Sequence, residues 1–417
     1  MARILIVGGT GFIGRHIAGR LAAAGHSILA AGRHDVDIAH DDEARLRAKV
    51  AGFDVVVNCA GLVRDVGANT MDAVHAEGAM RLFSACIAAG VPRLIHISAL
   101  GAAPQGETDY QRSKGESEAF FTDADPHGER IDWRVLRPSV VVGRGGASTR
   151  WLLAAAALPV LPCIGRDDWR FQPVHVDDLA ELVVRLAEGA ASARMIDVVG
   201  PEPMTAYELT RILRNWLRLR PTGSVRIPER LFEIATKIGG RFTNGPLNPD
   251  VMKMLASGNV ADPAALTAAL GRLPRSLRTA LAEEPASDAD RMAARLFFLK
   301  PVLRWSLALL WIATGLLSFG LYPVDKSYEM LAAIGLTGPV TGMALYGGAA
   351  LDLVLGMLLL RGYRAGLIGL LQLASMAAFT VLALGLPAEY WLHPFAPILK
   401  NLPIAAAILV MIALEAD

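Results

Sequence analysis

Short apolar runs alternate with helical stretches from residue 3 to about residue 200, and the pattern changes character after Lys300. Arg3–Val7, Ser27–Ala31, Asp54–Asn58, Leu94–Ser98 and Arg134–Val142 read as strands. They are unalternated and rich in aliphatic and β-branched residues, which suits strands of a parallel sheet covered on both faces. Phe12–Ala24 reads as a helix. Strand and helix in alternation predict an α/β, doubly wound parallel sheet.

Residues 201–300 are more polar and mostly helical. Thr205 with Glu208 three residues later forms a capping-box signature. The helix behind it carries Arg211, Arg214, Arg218 and Arg220. These read either as a solvated face or as a face that meets anionic lipid headgroups.

Beyond Lys300 four apolar stretches follow, Trp305–Tyr322, Pro339–Leu360, Ala365–Leu386 and Pro397–Leu414. Each is roughly 18–22 residues, enough to cross a hydrocarbon core of about 30 Å. They predict an all-α transmembrane four-helix domain, against a buried soluble bundle as the alternative. Arg295, Lys300 and Arg304 precede the first stretch, and Arg361 and Arg364 lie between the second and third. Only Lys326 and Lys400 fall on the other side, so positive flanks put both termini in the cytoplasm, in an inner (cytoplasmic) membrane. Tyr322, Tyr390 and Trp391 lie near span ends, where amphipathic rings favour the interface.

The balance of 41 basic and 40 acidic residues gives a net charge of +1 and no nucleic-acid footprint. Length points to two or three units, and the hydrophobic content of 53% reflects the C-terminal stretches. Cys59, Cys86 and Cys163 match neither a disulfide framework nor a zinc site, so no metal is expected. The start, MARILIVGGTG, lacks the layout of a signal peptide, and the N-terminal domain is expected to stay in the cytosol.

The segment Val7-Gly8-Gly9-Thr10-Gly11-Phe12-Ile13-Gly14 follows a strand and opens a helix. Glycines at 8, 11 and 14 allow a tight turn, close approach of a pyrophosphate and close helix–strand packing, with N–H donors supplied by the helix N-terminus. This strand–turn–helix context makes a Rossmann dinucleotide site, with Thr10, Phe12 and Ile13 in the loop. After the second strand stands Gly32-Arg33-His34 in place of an acid. Arg33 can pair with a 2′-phosphate, which favours NADP(H); Asp35 close by keeps NAD(H) open, as does a merely solvated Arg33.

Tyr110 and Lys114 are four apart and share a helix face. A nearby ammonium is expected to lower the tyrosine pKa, so that Tyr110 exchanges a proton with a carbonyl or alcohol. Lys114 can also bind the nicotinamide ribose, and Ser98 at a strand end can hold the substrate oxygen.

With Asn58-Cys59-Ala60-Gly61, Leu136-Arg137-Pro138 and Gln172–Asp178, these segments make residues 3–240 resemble an atypical or extended short-chain dehydrogenase/reductase. Within that superfamily the chain is most similar to the branch of the NADPH-binding accessory subunit of respiratory complex I. The resemblance implies that Cys59, Ala60 and Gly61 line the adenosine side, that Arg137 and Pro138 lie beside the nicotinamide, and that Asp37 and Ile38 touch adenine. Two departures stand out. The connection between the second and third strands is so short that its usual helix is expected to be missing, and His75 occupies a position where many relatives carry asparagine. His75 reads as a packed histidine or as a substitute in a proton relay.

Residues 301–417 resemble a DoxX-like membrane domain, on Asp352-Leu353-Val354-Leu355-Gly356 and Lys400-Asn401-Leu402-Pro403. That resemblance implies a link to quinones or a respiratory complex, besides the lipid bilayer. Asp352 lies deep in a span, where a carboxylate is costly, and reads either as a group handling protons or ligands or as a hydrogen-bond partner of a neighbouring helix. The expected organisation is a Rossmann domain with a small substrate region over 1–240, a helical juxtamembrane linker over 241–300 and the membrane domain over 301–417. The expected function is a membrane-anchored NADP(H)-dependent oxidoreductase acting on a carbonyl or alcohol small molecule, lipophilic ones included. The alternative is a non-catalytic NADPH-binding assembly factor of a respiratory complex.

Overall fold

The computed structural model describes residues 1–163, 169–228, 230–231, 253–254, 258–392 and 398–415. The chain divides into two compact units, Met1–Ala294 and Arg295–Asp417.

In the first unit the elements run β1 (Arg3–Val7), α1 (Phe12–Ala23), β2 (Ser27–Ala31), α2 (Glu43–Val50), β3 (Val55–Asn58), α3 (Gly78–Ala88), β4 (Arg93–Ile97), α4 (Asp109–Ala124), β5 (Asp132–Pro138), β6 (Val141–Val142), α5 (Ala147–Ala156), β7 (Leu161–Cys163), β8 (Val174–His175), α6 (Val176–Ala187), β9 (Met195–Val198), α7 (Ala206–Trp216) and β10 (Ser224–Arg226). Six strands form one parallel sheet in the order β2-β1-β3-β4-β5-β9. Successive side chains leave a strand on opposite faces. Ile4, Ile6, Val55, Val57, Ile95 and Ile97 therefore pack with Ile17 and Leu21 of α1 and Leu179 and Val183 of α6. Leu5, Val7, Val56 and Leu94 pack with Leu46 of α2, Phe83 of α3 and Phe121 of α4. Both faces are buried, which explains why these strands carry no polar alternation. The strand order reverses at β1, which has β2 on one side and β3 on the other. Ligands of open α/β sheets bind at such a switch point, beyond the carboxyl ends of the strands.

Three expectations change. The connection between β2 and β3 does contain a helix. It is the eight-residue α2, capped by Asp42, which accepts from the Arg45 N–H, and it buries only Leu46 and Val50. The run Arg134–Val142 is not one strand: it breaks after Pro138, and Val141–Val142 pairs instead with β8. The arginines behind the Thr205–Glu208 capping box are not one exposed face. Arg214 is buried and donates to the carbonyls of Ala156, Leu158 and Arg220, so it ties α7 to the end of α5. Within the span 241–300, Leu266, Ala269 and Leu270 enter the core beneath the sheet. Arg272 and Arg275 both donate to the fully buried Asp178 at the start of α6.

The second unit is apolar on its outside, with Leu309, Met343, Leu351 and Val381 exposed, while Thr341, Asp352 and Gln372 are buried. That inversion fits helices solvated by lipid. Leu299–Leu321 (23 residues), Pro339–Leu360 (22) and Ala365–Ala383 (19) are long and apolar enough to cross a membrane. Gly315 lies against the Ala349 carbonyl and Gly356 against the Ala308 carbonyl, so the first two helices approach closely at small residues. The expected fourth span is shorter. Asn401–Glu415 has 15 residues. At about 1.5 Å per residue the described helix is about 22 Å long. The start of that stretch, Pro397, lies outside the described residues. Glu415 at the end of this helix pairs with Lys300 (3.4 Å) and Arg304 (3.3 Å) at the start of the first.

Candidate active site

The cleft begins at the turn between β1 and α1. Gly8 has φ +72°, and a Cβ there would meet the Ala60 nitrogen at 2.8 Å; a Cβ on Gly14 would meet the Gly8 carbonyl oxygen at 2.4 Å. Only glycine lets this loop lie against β3 and lets α1 start so close to β1. The N-cap of α1 is Gly11, with no side-chain cap and no acid in the first turn. Its first N–H groups are thus available to an anion, and the loop fits a pyrophosphate.

Gly8, Thr10, Gly11, Arg33, Asp37, Ile38, Cys59, Ala60 and Gly61 line one cleft, as the sequence pattern predicts. Arg33 is exposed at the end of β2, while Asp35 is turned back to accept from the Gly32 N–H at 2.8 Å. Asp37 accepts from the Ala39 N–H (3.1 Å) and holds the turn beneath the cleft. A Cβ on Gly78 would meet the Ile38 carbonyl at 2.6 Å, so this glycine sets the approach of α3 to the Asp37-Ile38 turn. Phe12 and Ile13 play packing roles. The Phe12 ring lies over Gly143 and Gly146, and Ile13 packs on the sheet.

Helix α4 supplies the rest. Thr108 and Gln111 form a capping box that fixes its start. Tyr110, Lys114 and Glu118 follow at i, i+4 and i+8 on one face. Lys114 is buried, and its Nζ donates to the Ile97 carbonyl at 2.8 Å, beside Ser98. The Ser98 N–H donates to the Leu136 carbonyl at 2.7 Å, while its buried Oγ has no partner. Gly61 backs onto this group: a Cβ there would lie 3.5 Å from His75 Nε2 and 3.8 Å from Lys114 Nζ. Lys114 therefore lies beside Ser98 at the carboxyl end of β4, and His75, against the Tyr110 ring, backs with Lys114 onto Gly61 of the cleft.

Arg137 is engaged within the protein. Its guanidinium forks onto the buried Glu118 carboxylate, with Nε at 2.9 Å and Nη2 in contact as well. Arg137 thereby clamps α4 to β5, and Pro138 follows with its carbonyl accepting from the Leu100 N–H. Sequence spacing holds a partial signal for Glu118, the next residue on the Tyr110–Lys114 face; nothing in it points to Arg137 as the partner.

His75 sits in a π-helical turn (Asp72–Glu77) ahead of α3 and is fully buried. Its Nε2 accepts from the Leu62 N–H (2.8 Å) and its Nδ1 meets the Ser113 hydroxyl (3.1 Å). Ser113 in turn donates to the Tyr110 carbonyl, and the His75 and Tyr110 rings meet edge to face at 5.3 Å. Both ring nitrogens are engaged, so His75 is a packed, orienting residue. Asn58 accepts from the Ala60 N–H and contacts His96 Nδ1 at 3.1 Å, which fixes the end of β3.

Burial governs the electrostatics. It pushes His75 down to about 2, with Lys114 and His96 adding to the effect, and so keeps it neutral. Lys114 comes down to about 8 through burial, opposed by the Glu118 carboxylate. Tyr110 goes up to about 12 through burial. This corrects the expectation that the neighbouring ammonium acidifies the tyrosine: desolvation is the larger effect, and Tyr110 is a proton donor near neutrality. The Cys59 thiol is raised to about 12 by burial and is no nucleophile.

A glycine-cradled turn at the switch point of a parallel sheet covered on both faces defines the class of the first unit, a Rossmann-like nucleotide-binding domain. Residues 4–199 match the NAD dependent epimerase/dehydratase family, and residues 308–409 match the DoxX-like family; the chain joins a domain of each kind. It is 26% identical over 238 residues to the mitochondrial NADH dehydrogenase (ubiquinone) 1 alpha subcomplex subunit 9 of Arabidopsis thaliana, covering 52% of this chain and 58% of that one. It is 30% identical over 195 residues to ceramide reductase of Caulobacter vibrioides, covering 43% and 59%. The match thus spans less than two thirds of either relative. A UDP-glucose 4-epimerase structure from Thermotoga maritima aligns with a TM-score of 0.50 at 18% identity, over 67% of this chain and 96% of that one, which shows the fold alone.

Proposed function

We propose that the protein is a membrane-anchored, NADP(H)-dependent oxidoreductase that reduces a carbonyl, or oxidises an alcohol, on a lipophilic small molecule. The observation that carries this reading is the buried, unpartnered Ser98 Oγ, with Lys114 anchored on the adjacent Ile97 carbonyl and backed by Gly61 of the glycine-loop cleft. A reduced nicotinamide supplies hydride when bound. The chain's own residues do the rest. Ser98 donates a hydrogen bond to the substrate oxygen. Tyr110, held protonated by burial, gives its proton to that oxygen as negative charge develops. Lys114 stays near the ribose side of the cleft, anchored on the Ile97 carbonyl. Likeness to a protein named ceramide reductase supports a lipid substrate.

The exposed Arg33 beside the cleft, with Asp35 turned onto its own backbone, supports NADP(H) over NAD(H). Arg33→Ser should weaken NADPH binding by about 10–100-fold, the worth of a charged hydrogen bond, and leave NADH binding nearly unchanged. Equal loss of both cofactors would remove Arg33 from 2′-phosphate recognition. The pairing of Glu415 with Lys300 and Arg304 supports both termini lying on one side, the cytoplasmic one by the arginine-rich flanks.

A second reading draws on likeness to the Arabidopsis complex I subunit: the domain holds NADPH as a structural group in a respiratory assembly. The two separate on turnover. NADPH that co-purifies and stays reduced in the presence of carbonyl substrates, in wild type and in Tyr110→Phe alike, favours the second.

A further inference from the structure

Within the helical unit a cavity of about 180 Å³ lies between the first three spans and the Asn401–Glu415 helix. Its polar wall offers several acceptors beside the donors of Trp311 and Ser375. Asp352 is largely buried and lines it. Asn401 donates through Nδ2 to Thr380 Oγ1 at 2.8 Å, which leaves its carbonyl oxygen. Thr314 gives its proton to the Leu310 carbonyl, which leaves its oxygen lone pairs. Ser375 adds a hydroxyl, and among the described residues no lysine, arginine or histidine lines the cavity. One turn along the same helix from Ser375, the fully buried Gln372 has both amide atoms without a partner. Polar groups are costly in hydrocarbon, and unpaired ones more so.

The cavity also has an outlet to the lipid side. Leu310 and Phe379 belong to its lining, yet they are 39% and 45% exposed on the apolar surface of the unit. Its size is below the roughly 300–1,000 Å³ of sites that enclose a whole drug-sized ligand. It suits the polar end of a molecule whose tail remains in the bilayer.

We propose that this cavity is a binding site for a bilayer-borne amphiphile whose polar end carries hydrogen-bond donors, a hydroxyl or an amine, received by Asp352 and Asn401. Either protonation state of Asp352 leaves an acceptor oxygen, so a donating head group satisfies the wall. An ether or ester head, which only accepts, leaves the acceptor oxygens of Asp352 and Asn401 without a donor. The site stands apart from the reductase reading, because all of its residues belong to the helical unit and its test is binding.

The experiment uses the 417-residue chain in phosphatidylcholine nanodiscs. The probes are hexadecanol, hexadecylamine and hexadecyl methyl ether, each bearing a diazirine and an alkyne, with excess unlabelled hexadecanol as competitor. The alcohol and amine should label peptides containing Leu310–Thr314 and Ser375–Phe379 saturably, with apparent affinity about ten-fold or more above that of the ether. Asp352→Leu should abolish that contrast, and Asn401→Leu should reduce it, in protein with an unchanged helical spectrum. Ether labelling equal to alcohol labelling, labelling that does not saturate, or a contrast unaffected by both variants would overturn the proposal. The comparison of head groups on unmodified protein decides the matter even where a variant fails to fold.

Discussion

Lys114 and His75 are buried groups whose protonation states are set by desolvation, and each has a measurable consequence. Lys114 titrates at about 8 because burial outweighs the Glu118 carboxylate. Below that pH it is an ammonium, and above it Lys114 loses its positive charge. For carbonyl reduction, kcat/KM should hold up to about pH 8 and fall above it. Glu118→Gln removes the opposing carboxylate and should move the fall to lower pH; a profile that does not shift would detach Glu118 from Lys114. His75 has a folded value of about 2 against the ordinary 6.5. Between those values the unfolded chain binds a proton that the folded one does not, so stability is lost as pH falls below about 6.5. One such histidine steepens the loss by up to about 1.4 kcal/mol per pH unit. Urea denaturation of His75→Gln at a series of pH values should show a shallower decline than wild type between pH 6 and pH 4.

At the scale of elements, the β1–α1 turn is the part that tolerates least. A Cβ on Gly14 would meet the Gly8 carbonyl at 2.4 Å and Gly9 Cα at 2.7 Å, both backbone. Gly14→Ala should cost about 1–3 kcal/mol through overpacking and should weaken nucleotide binding as α1 shifts. An unchanged Tm with unchanged cofactor affinity would contradict that close approach. The turn was legible in the sequence because its geometry is local: three glycines, one strand, one helix. Tyr110 and Lys114 were legible for the same reason, since helical spacing alone aligns them. The Arg137–Glu118 clamp and the His75–Leu62 bond were not, because they join positions that only the tertiary fold brings together. Helix α2 escaped notice because it is eight residues long and buries two of them. The fourth apolar stretch was legible from composition as a helix, Asn401–Glu415, while its start at Pro397 lies outside the described residues.

At the scale of the whole molecule, a nucleotide-binding unit and an apolar helical unit share one chain. The ion pairs of Glu415 with Lys300 and Arg304 require that the ends of the helical unit meet. Single-cysteine labelling in inverted vesicles should therefore find positions 298 and 417 on the cytoplasmic face and position 326 on the other; opposite faces for 298 and 417 would overturn the proposed topology. The central claim is that the cleft turns over, with Tyr110 as its proton donor. The most direct measurement is single-turnover oxidation of NADPH bound to the protein in nanodiscs, followed by nicotinamide fluorescence on addition of long-chain ketones. Wild type should oxidise its NADPH, and Tyr110→Phe should do so at least about 100-fold more slowly while binding NADPH equally well. NADPH that remains reduced in wild type, or is oxidised at the same rate in both proteins, would contradict it.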